Sequence, residues 1–174
     1  ALERLQERVR ELEGARVAPL AIIGMGCRFP AGEDPEAYWA ALRRGEDAVR
    51  DRPPVARPGF PAAGEPSPFP PAGYLPSDIS GFDPAFFGIS PREAASIDPQ
   101  QRLLLEGAWE ALEHAGVDPR GLEGSRTGVF VGMAGNDYAQ IQLSSERAVE
   151  LLGSHFASGI GHSMASGRIS YLLG

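Results

Sequence analysis

The sequence has a single cysteine, Cys27, and three histidines, His114, His155 and His162, among its 174 residues. One thiol excludes an internal disulfide and a thiolate metal cluster built within the chain, and it suits a reducing compartment. The histidines are too scattered for a metal motif, since His114 falls in a long helical pattern and no HExxH or cysteine pair supports the others. No metal site is expected. No stretch approaches the roughly 18 consecutive apolar residues of a spanning helix, and the N-terminus lacks the basic and apolar regions of a secretory signal. With 16 Lys plus Arg against 23 Asp plus Glu, the net charge of -7 gives no footprint for nucleic acid or anionic lipid. The expectation is a soluble, cytoplasmic protein with no nucleic-acid and no membrane partner.

What is present fits one folded domain: 43% of the residues are hydrophobic and 22% charged, enough for a sizeable core. The chain opens on Ala1 and ends at Gly174 just after an apolar helical pattern, so both ends are expected to be cuts in something longer.

Residues 1–13 place Leu2, Leu5, Val9 and Leu12 at the a and d positions of two heptads, with Arg8 at g and Glu13 at e. Two readings follow: a short coiled coil joining two copies, or an amphipathic helix docked on its own domain. Residues 14–18 read as a linker. Residues 19–24 form an apolar run bounded by breakers, expected to be a buried strand, and Asp34 with Pro35 starts a helix running to Gly45. From Arg50 to Pro76 there are nine prolines and three glycines without periodicity, an extended surface loop in which Phe60, Phe69 and Tyr74 are candidate anchors. Ser90-Pro91 and Asp98-Pro99 each start a helix, with Glu93 and Gln101 expected to close capping boxes. The second of these helices should be the longest, buried on more than one side and stopped by Gly116, with Gly107 marking a close crossing. Residues 127–132 read as a second buried strand, followed by a turn at residues 135–137. Residues 145–156 and 164–173 are expected to be helical. Strands separated by helices favour an α/β fold with a parallel or mixed sheet.

Few groups invite chemistry. Gly24-Met25-Gly26 after a strand lacks the third glycine of a dinucleotide fingerprint, so its glycines are better read as close backbone approaches. Cys27 has no local histidine to activate it and reads as a small side chain at a strand end. Residues 158–163 are glycine-rich and offer either a weak anion cradle or an ordinary turn. The carboxylates Asp78, Asp83, Glu93 and Asp98 sit where capping explains them. No catalytic constellation is visible.

Several segments, however, closely resemble one family: PLAIIGMGCRFP at 19–30, DPEAYWAALRRGEDAV at 34–49, GFDPAFFGISPREAASIDPQQRLLLEGAWEALEHAGVDP at 81–119, TGVFVGMAGNDY at 127–138 and MASGRISYLLG at 164–174. Together they resemble the ketosynthase, or beta-ketoacyl synthase, domain of modular type I polyketide synthases. The heptad segment is similar to the helix that precedes such a domain and serves dimerisation and docking to an upstream synthase subunit. The resemblance implies a thiolase-like α/β fold, of which residues 19–174 would be the incomplete N-terminal portion, needing the remainder of the ketosynthase domain. It implies a homodimeric acyltransferase of polyketide biosynthesis. The reaction would be decarboxylative Claisen condensation between an enzyme-bound acyl chain and a malonyl-type unit on the phosphopantetheine of an acyl carrier protein.

The family's nucleophilic cysteine lies beyond the match to Gly174, and Cys27 and the three histidines do not match its catalytic positions. The resemblance therefore implies no catalytic residue and no bound cofactor in this segment, which alone would be inactive or serve dimerisation and docking. It does imply substrate-binding positions bordering the acyl pocket: Met133, Ala134 and Phe156. The proline-rich loop departs from the family pattern, and Ile97 stands where Met is common.

Overall fold

The computed structural model describes residues 2–17, 19–55, 61–62, 64–145, 153 and 155–174, without the side chains of residues 11–13 and 15–17. Phe60 and most of the helix expected at residues 145–156 lie outside the described residues.

Helix α1 (Leu2–Val17) extends past the expected break. A single glycine costs a helix only about 1 kcal/mol, so Gly14 does not stop it and the segment expected as a linker is helical as far as Val17. Its stop comes ahead of Pro19, which disfavours helical backbone at the preceding residue.

Helix α2 (Pro35–Arg44) begins as the sequence indicates: the Asp34 carboxylate accepts from the Ala37 N–H at 2.7 Å and Pro35 occupies the first turn. Helix α3 (Pro91–Ala94) is capped by Ser90, and α4 (Pro99–Ala115) by Asp98, which accepts from the Gln100 N–H. Gly45 and Gly116 end α2 and α4 with φ of 62° and 65°, the left-handed conformation that an L side chain resists.

The side chains of Glu93 and Gln101 do not turn back to close capping boxes. Both face the C-terminal helices, where a part-buried arginine and the backbone carbonyls of Gly159 and Gly161 offer them partners.

Beyond α4, a short 3-10 turn (Pro119–Leu122) leads to α5 (Asp137–Ser144), α6 (Phe156–Ile160) and α7 (His162–Leu173). Helix α5 starts at the last residue of the expected turn, and α6 occupies part of the glycine-rich stretch. In the latter the Gly159 and Gly161 N–H groups donate to the His155 and Ala157 carbonyls, so they form no anion cradle. Buried Ala94, Ile97, Leu105, Ala139, Ala165 and Ile169 place the core where the α3–α4 corner meets α5 and α7.

Among the described residues the sole sheet is a two-residue antiparallel pair, β1 (Val49–Arg50) with β2 (Ala72–Gly73), which closes the base of the proline-rich loop. Arg52 ties that loop together by donating to the carbonyls of Pro61, Ala62 and Glu65. Residues 19–24 and 127–132, expected as buried strands, carry no ladder. A buried strand needs a neighbour for its backbone and cover on both faces. Here α4 covers one side, and Leu20, Ile22 and Phe130 remain 95%, 83% and 96% exposed. The helical layer is in place, and the sheet beneath it is not closed by these residues.

Both glycines that end the first segment do approach backbone closely. A Cβ on Gly24 would collide with the Ala111 carbonyl, and one on Gly26 would stand 2.6 Å from the Gly107 carbonyl oxygen. The crossing expected at Gly107 is therefore real, but Gly26 provides the space, because a Cβ on Gly107 itself would meet nothing within 4 Å.

Candidate functional site

Three sequence motifs far apart in the chain meet at one polar cluster. Arg168, on the buried side of α7, donates from Nη1 to Glu93 at 2.7 Å, from Nε to Gln101 at 3.0 Å and from Nη2 to the Ser158 carbonyl at 3.3 Å. Gln101 is buried in the first turn of α4. Its amide nitrogen donates to the carbonyls of Gly159 and Gly161 at 3.0 and 3.1 Å. An arginine can only donate, so it fixes which end of the amide faces it and leaves the nitrogen to the two carbonyls.

The Asp98 N–H adds a bond to the Gly159 carbonyl at 2.9 Å, and a Cβ on Gly159 would collide with the Ser96 backbone. Helix α6 is thus held backbone to backbone against the α3–α4 corner. Across the same corner Tyr138 and Gln142 of α5 donate to carbonyls of residues 95 and 96. Sequence reading assigned Glu93 and Gln101 to local capping and missed this arrangement. The signal was their helix-start position, which a short-range pattern interprets as a cap.

Of the candidate pocket residues, Phe156 stands near this cluster in the chain. Phe156 opens α6 and is half-buried, while Met133 is half-buried and Ala134 exposed in the segment ahead of α5. His162 bridges the two segments, its Nε2 donating to the Gly135 carbonyl at 2.7 Å. None of the three candidates lines the clefts described next.

A cleft of about 740 Å³ is walled by Cys27, Arg28, Phe86, Trp109, Glu106 and Glu110 among others. Its aromatic wall is ordered by edge-to-face packing of Phe86 on Phe87 and on Trp109, at 4.9 and 4.8 Å between ring centres. Arg28 is engaged by both carboxylate oxygens of Glu110 and by the carbonyl of Glu33, so it is not poised to activate a thiol. Burial, followed by the charge of Asp34, pushes the Cys27 thiol above its ordinary pKa, and Arg28 only partly opposes this. A neutral thiol is a poor nucleophile. His114 does not serve Cys27 either: its Nδ1 accepts from the Met25 N–H at 3.3 Å. Among the described residues no three histidine, cysteine or carboxylate side chains group to hold a metal ion.

A second, more apolar cleft of about 510 Å³ lies over α4, between residues 26–28 and 128–131. It occupies the space under the unpaired segments, where the side chains of a completed sheet would lie.

A helical layer, joined through the SPREA, DPQQR and GRISY motifs, thus lies over two apolar segments that await a sheet. This chain belongs to the beta-ketoacyl synthases, matching the family's N-terminal domain over residues 18–174. More particularly, it matches the N-terminal region of a ketosynthase domain of modular type I polyketide synthases. It is 48% identical over 165 residues to the mycocerosic acid synthase-like polyketide synthase of Mycolicibacterium smegmatis, covering 91% of this chain and 8% of that protein. It is 45% identical over 174 residues to an erythronolide synthase of Saccharopolyspora erythraea, covering 99% and 5% respectively.

Among solved structures, the oxazolomycin ketosynthase domain of Streptomyces albus JA3453 superimposes with a TM-score of 0.68 at 34% identity, covering 87% of this chain and 26% of that one. The ketosynthase from module 6 of the bacillaene synthase of Bacillus subtilis 168 gives 0.66 at 31% identity, covering 88% and 24%. The thiolase-like α/β ketosynthase fold follows from these likenesses. The chain spans less than a tenth of the length of those two curated relatives and about a quarter of the solved ketosynthases.

Proposed function

We propose that this chain is the N-terminal portion of a ketosynthase that catalyses decarboxylative Claisen condensation, and that it contributes scaffold and acyl-pocket wall but no nucleophile. The observation that carries this reading is the family match over residues 18–174, combined with a Cys27 thiol that burial pushes above its ordinary pKa while His114 and Arg28 are engaged elsewhere. The parent's acyl chain would sit on a cysteine supplied outside this chain, and the malonyl-type unit would arrive on the phosphopantetheine of an acyl carrier protein. Met133, Ala134 and Phe156 would border the acyl chain. A homodimeric, cytoplasmic synthase is the setting, in keeping with the lack of any helix among the described residues long and apolar enough to cross a membrane.

The test is incubation of the 174-residue chain and of the complete polypeptide with an activated acyl thioester, followed by mass spectrometry. Acylation is expected in the complete polypeptide alone, at a cysteine other than Cys27. Stoichiometric acylation of Cys27 would overturn the assignment.

A second role is favoured by α1. Leu2, Leu5 and Val9 are 72%, 64% and 49% exposed and flank one groove with Gln6 and Arg10. An apolar stripe left open by its own domain suits pairing with a second copy, or with an upstream synthase subunit, as a short coiled coil. Leu12 continues the heptad in sequence, and its side chain lies outside the described ones.

A further inference from the structure

We infer that Arg168 is a positioning residue for acyl-chain selectivity: acting through Gln101, it fixes the short helix α6 and so the place of Phe156. The inference rests on the reading of Phe156 as pocket wall and adds what holds it there.

Helix α6 has five residues, and no side chain caps its first turn. A helix so short has little stability of its own, so its position is set by tertiary contacts. Those contacts converge on its carbonyl end. Arg168 holds the Ser158 carbonyl, and Gln101 holds those of Gly159 and Gly161. The close passage of Gly159 over the Ser96 backbone leaves α6 no room to slide toward the corner.

Arg168 controls the arrangement twice. It donates directly to α6, and it also orients the Gln101 amide by occupying its oxygen. Glu93 in turn anchors the guanidinium from α3. Lysine at position 168 retains the charge but not the planar fork, so it cannot serve Glu93, Gln101 and Ser158 together. With its oxygen released, the Gln101 amide loses the partner that orients it, and α6 is left on the Asp98 N–H bond and the Gly159 contact, a looser hold that lets its first turn shift. Phe156 is two residues from the Ser158 carbonyl and moves with it.

The experiment uses the complete polypeptide, which carries its own nucleophile. Self-acylation by a short and by a long acyl thioester is measured as a ratio, with thermal unfolding followed in parallel. Phe156→Ala is expected to change that ratio by about fourfold for each acyl-chain methylene that the ring covers. Arg168→Lys is expected to change it in the same direction by less. In a Phe156→Ala background, Arg168→Lys should leave the ratio fixed while still lowering the melting temperature, because its route to selectivity has been removed.

An equal ratio change in both backgrounds means that Arg168 acts elsewhere and overturns the inference. A fixed ratio for Arg168→Lys, with Phe156→Ala still effective, overturns the positioning role and leaves the pocket standing. A fixed ratio for Phe156→Ala alone overturns the pocket and the inference with it. Should Arg168→Lys fail to fold, Glu93→Ala removes the guanidinium's anchor at a half-buried site, and the same comparisons decide.

Discussion

At the scale of single residues, space and charge make opposite kinds of demand. Gly26 and Gly107 face one another across a crossing, yet a Cβ is excluded only at Gly26. Gly26→Ala is expected to cost about 1–3 kcal/mol through overpacking. Gly107→Ala should be neutral or stabilise by up to about 1 kcal/mol, because it improves helix propensity without a clash. Urea midpoints of the two variants check the contrast, and equal losses would refute it. The sequence marked both sides of the crossing, Gly26 as a close backbone approach and Gly107 as a helix glycine, but not which of them leaves no room for a side chain, since a pattern does not show what a missing side chain would touch.

Charge acts at Glu106. Burial, more than the opposing attraction of Arg28, raises its pKa above the ordinary carboxylate value. An acid whose pKa rises on folding binds more protons in the folded state between the two values, so stability falls as pH climbs through that window. Above the raised value the full penalty remains. Glu106→Gln is therefore expected to flatten the fall of the urea midpoint as pH climbs above the ordinary carboxylate range, and to raise stability most once Glu106 is fully ionised. A steeper fall in the variant would show that Glu106 is stabilised as an anion.

At the scale of elements, helix starts were legible and helix destinations were not. Asp34, Ser90 and Asp98 cap as their spacing indicates, because a cap is decided within four residues. Glu93 and Gln101 stand at the right spacing for capping boxes, but their partners arrive 75 and 67 residues later. Short-range pattern carries no information about that meeting. The same limit explains α5, whose apolar alternation is too weak to announce a helix beyond the turn that Gly135-Asn136-Asp137 suggests.

Helix α1 is the converse case, with a legible stripe that the domain leaves open. Replacing Leu5 and Val9 by Asp in the complete polypeptide is expected to weaken pairing of the leading helices, since charge enters the apolar seam. Disulfide trapping through a cysteine placed at Leu2 measures it. Unchanged trapping at low protein concentration would place α1 elsewhere.

At the scale of the whole molecule, the family and its α/β class were legible from five motif blocks, whereas the sheet was not realised within the described residues. A strand's pattern states that it will be buried, but the burial depends on cover from other parts of the fold. Leu20, Ile22 and Phe130 consequently form an open apolar surface on the chain by itself. The isolated chain is expected to bind an environment-sensitive hydrophobic dye strongly, and the complete polypeptide weakly per mole of ketosynthase. Equal emission from the two would mean that this surface is covered without further chain.

The separation of Glu93 from Arg168 also has a temporal meaning. An elongating ribosome adds about 5–20 residues per second, so the arginine is made roughly 4–15 s after the glutamate that anchors it, 75 positions earlier. Until residues 159–161 are made, Gln101 of the nascent α3–α4 corner has neither its glycine carbonyls nor its arginine, and the arginine follows only after them. Slower translation across this stretch would lengthen the time for which the corner waits for its anchors.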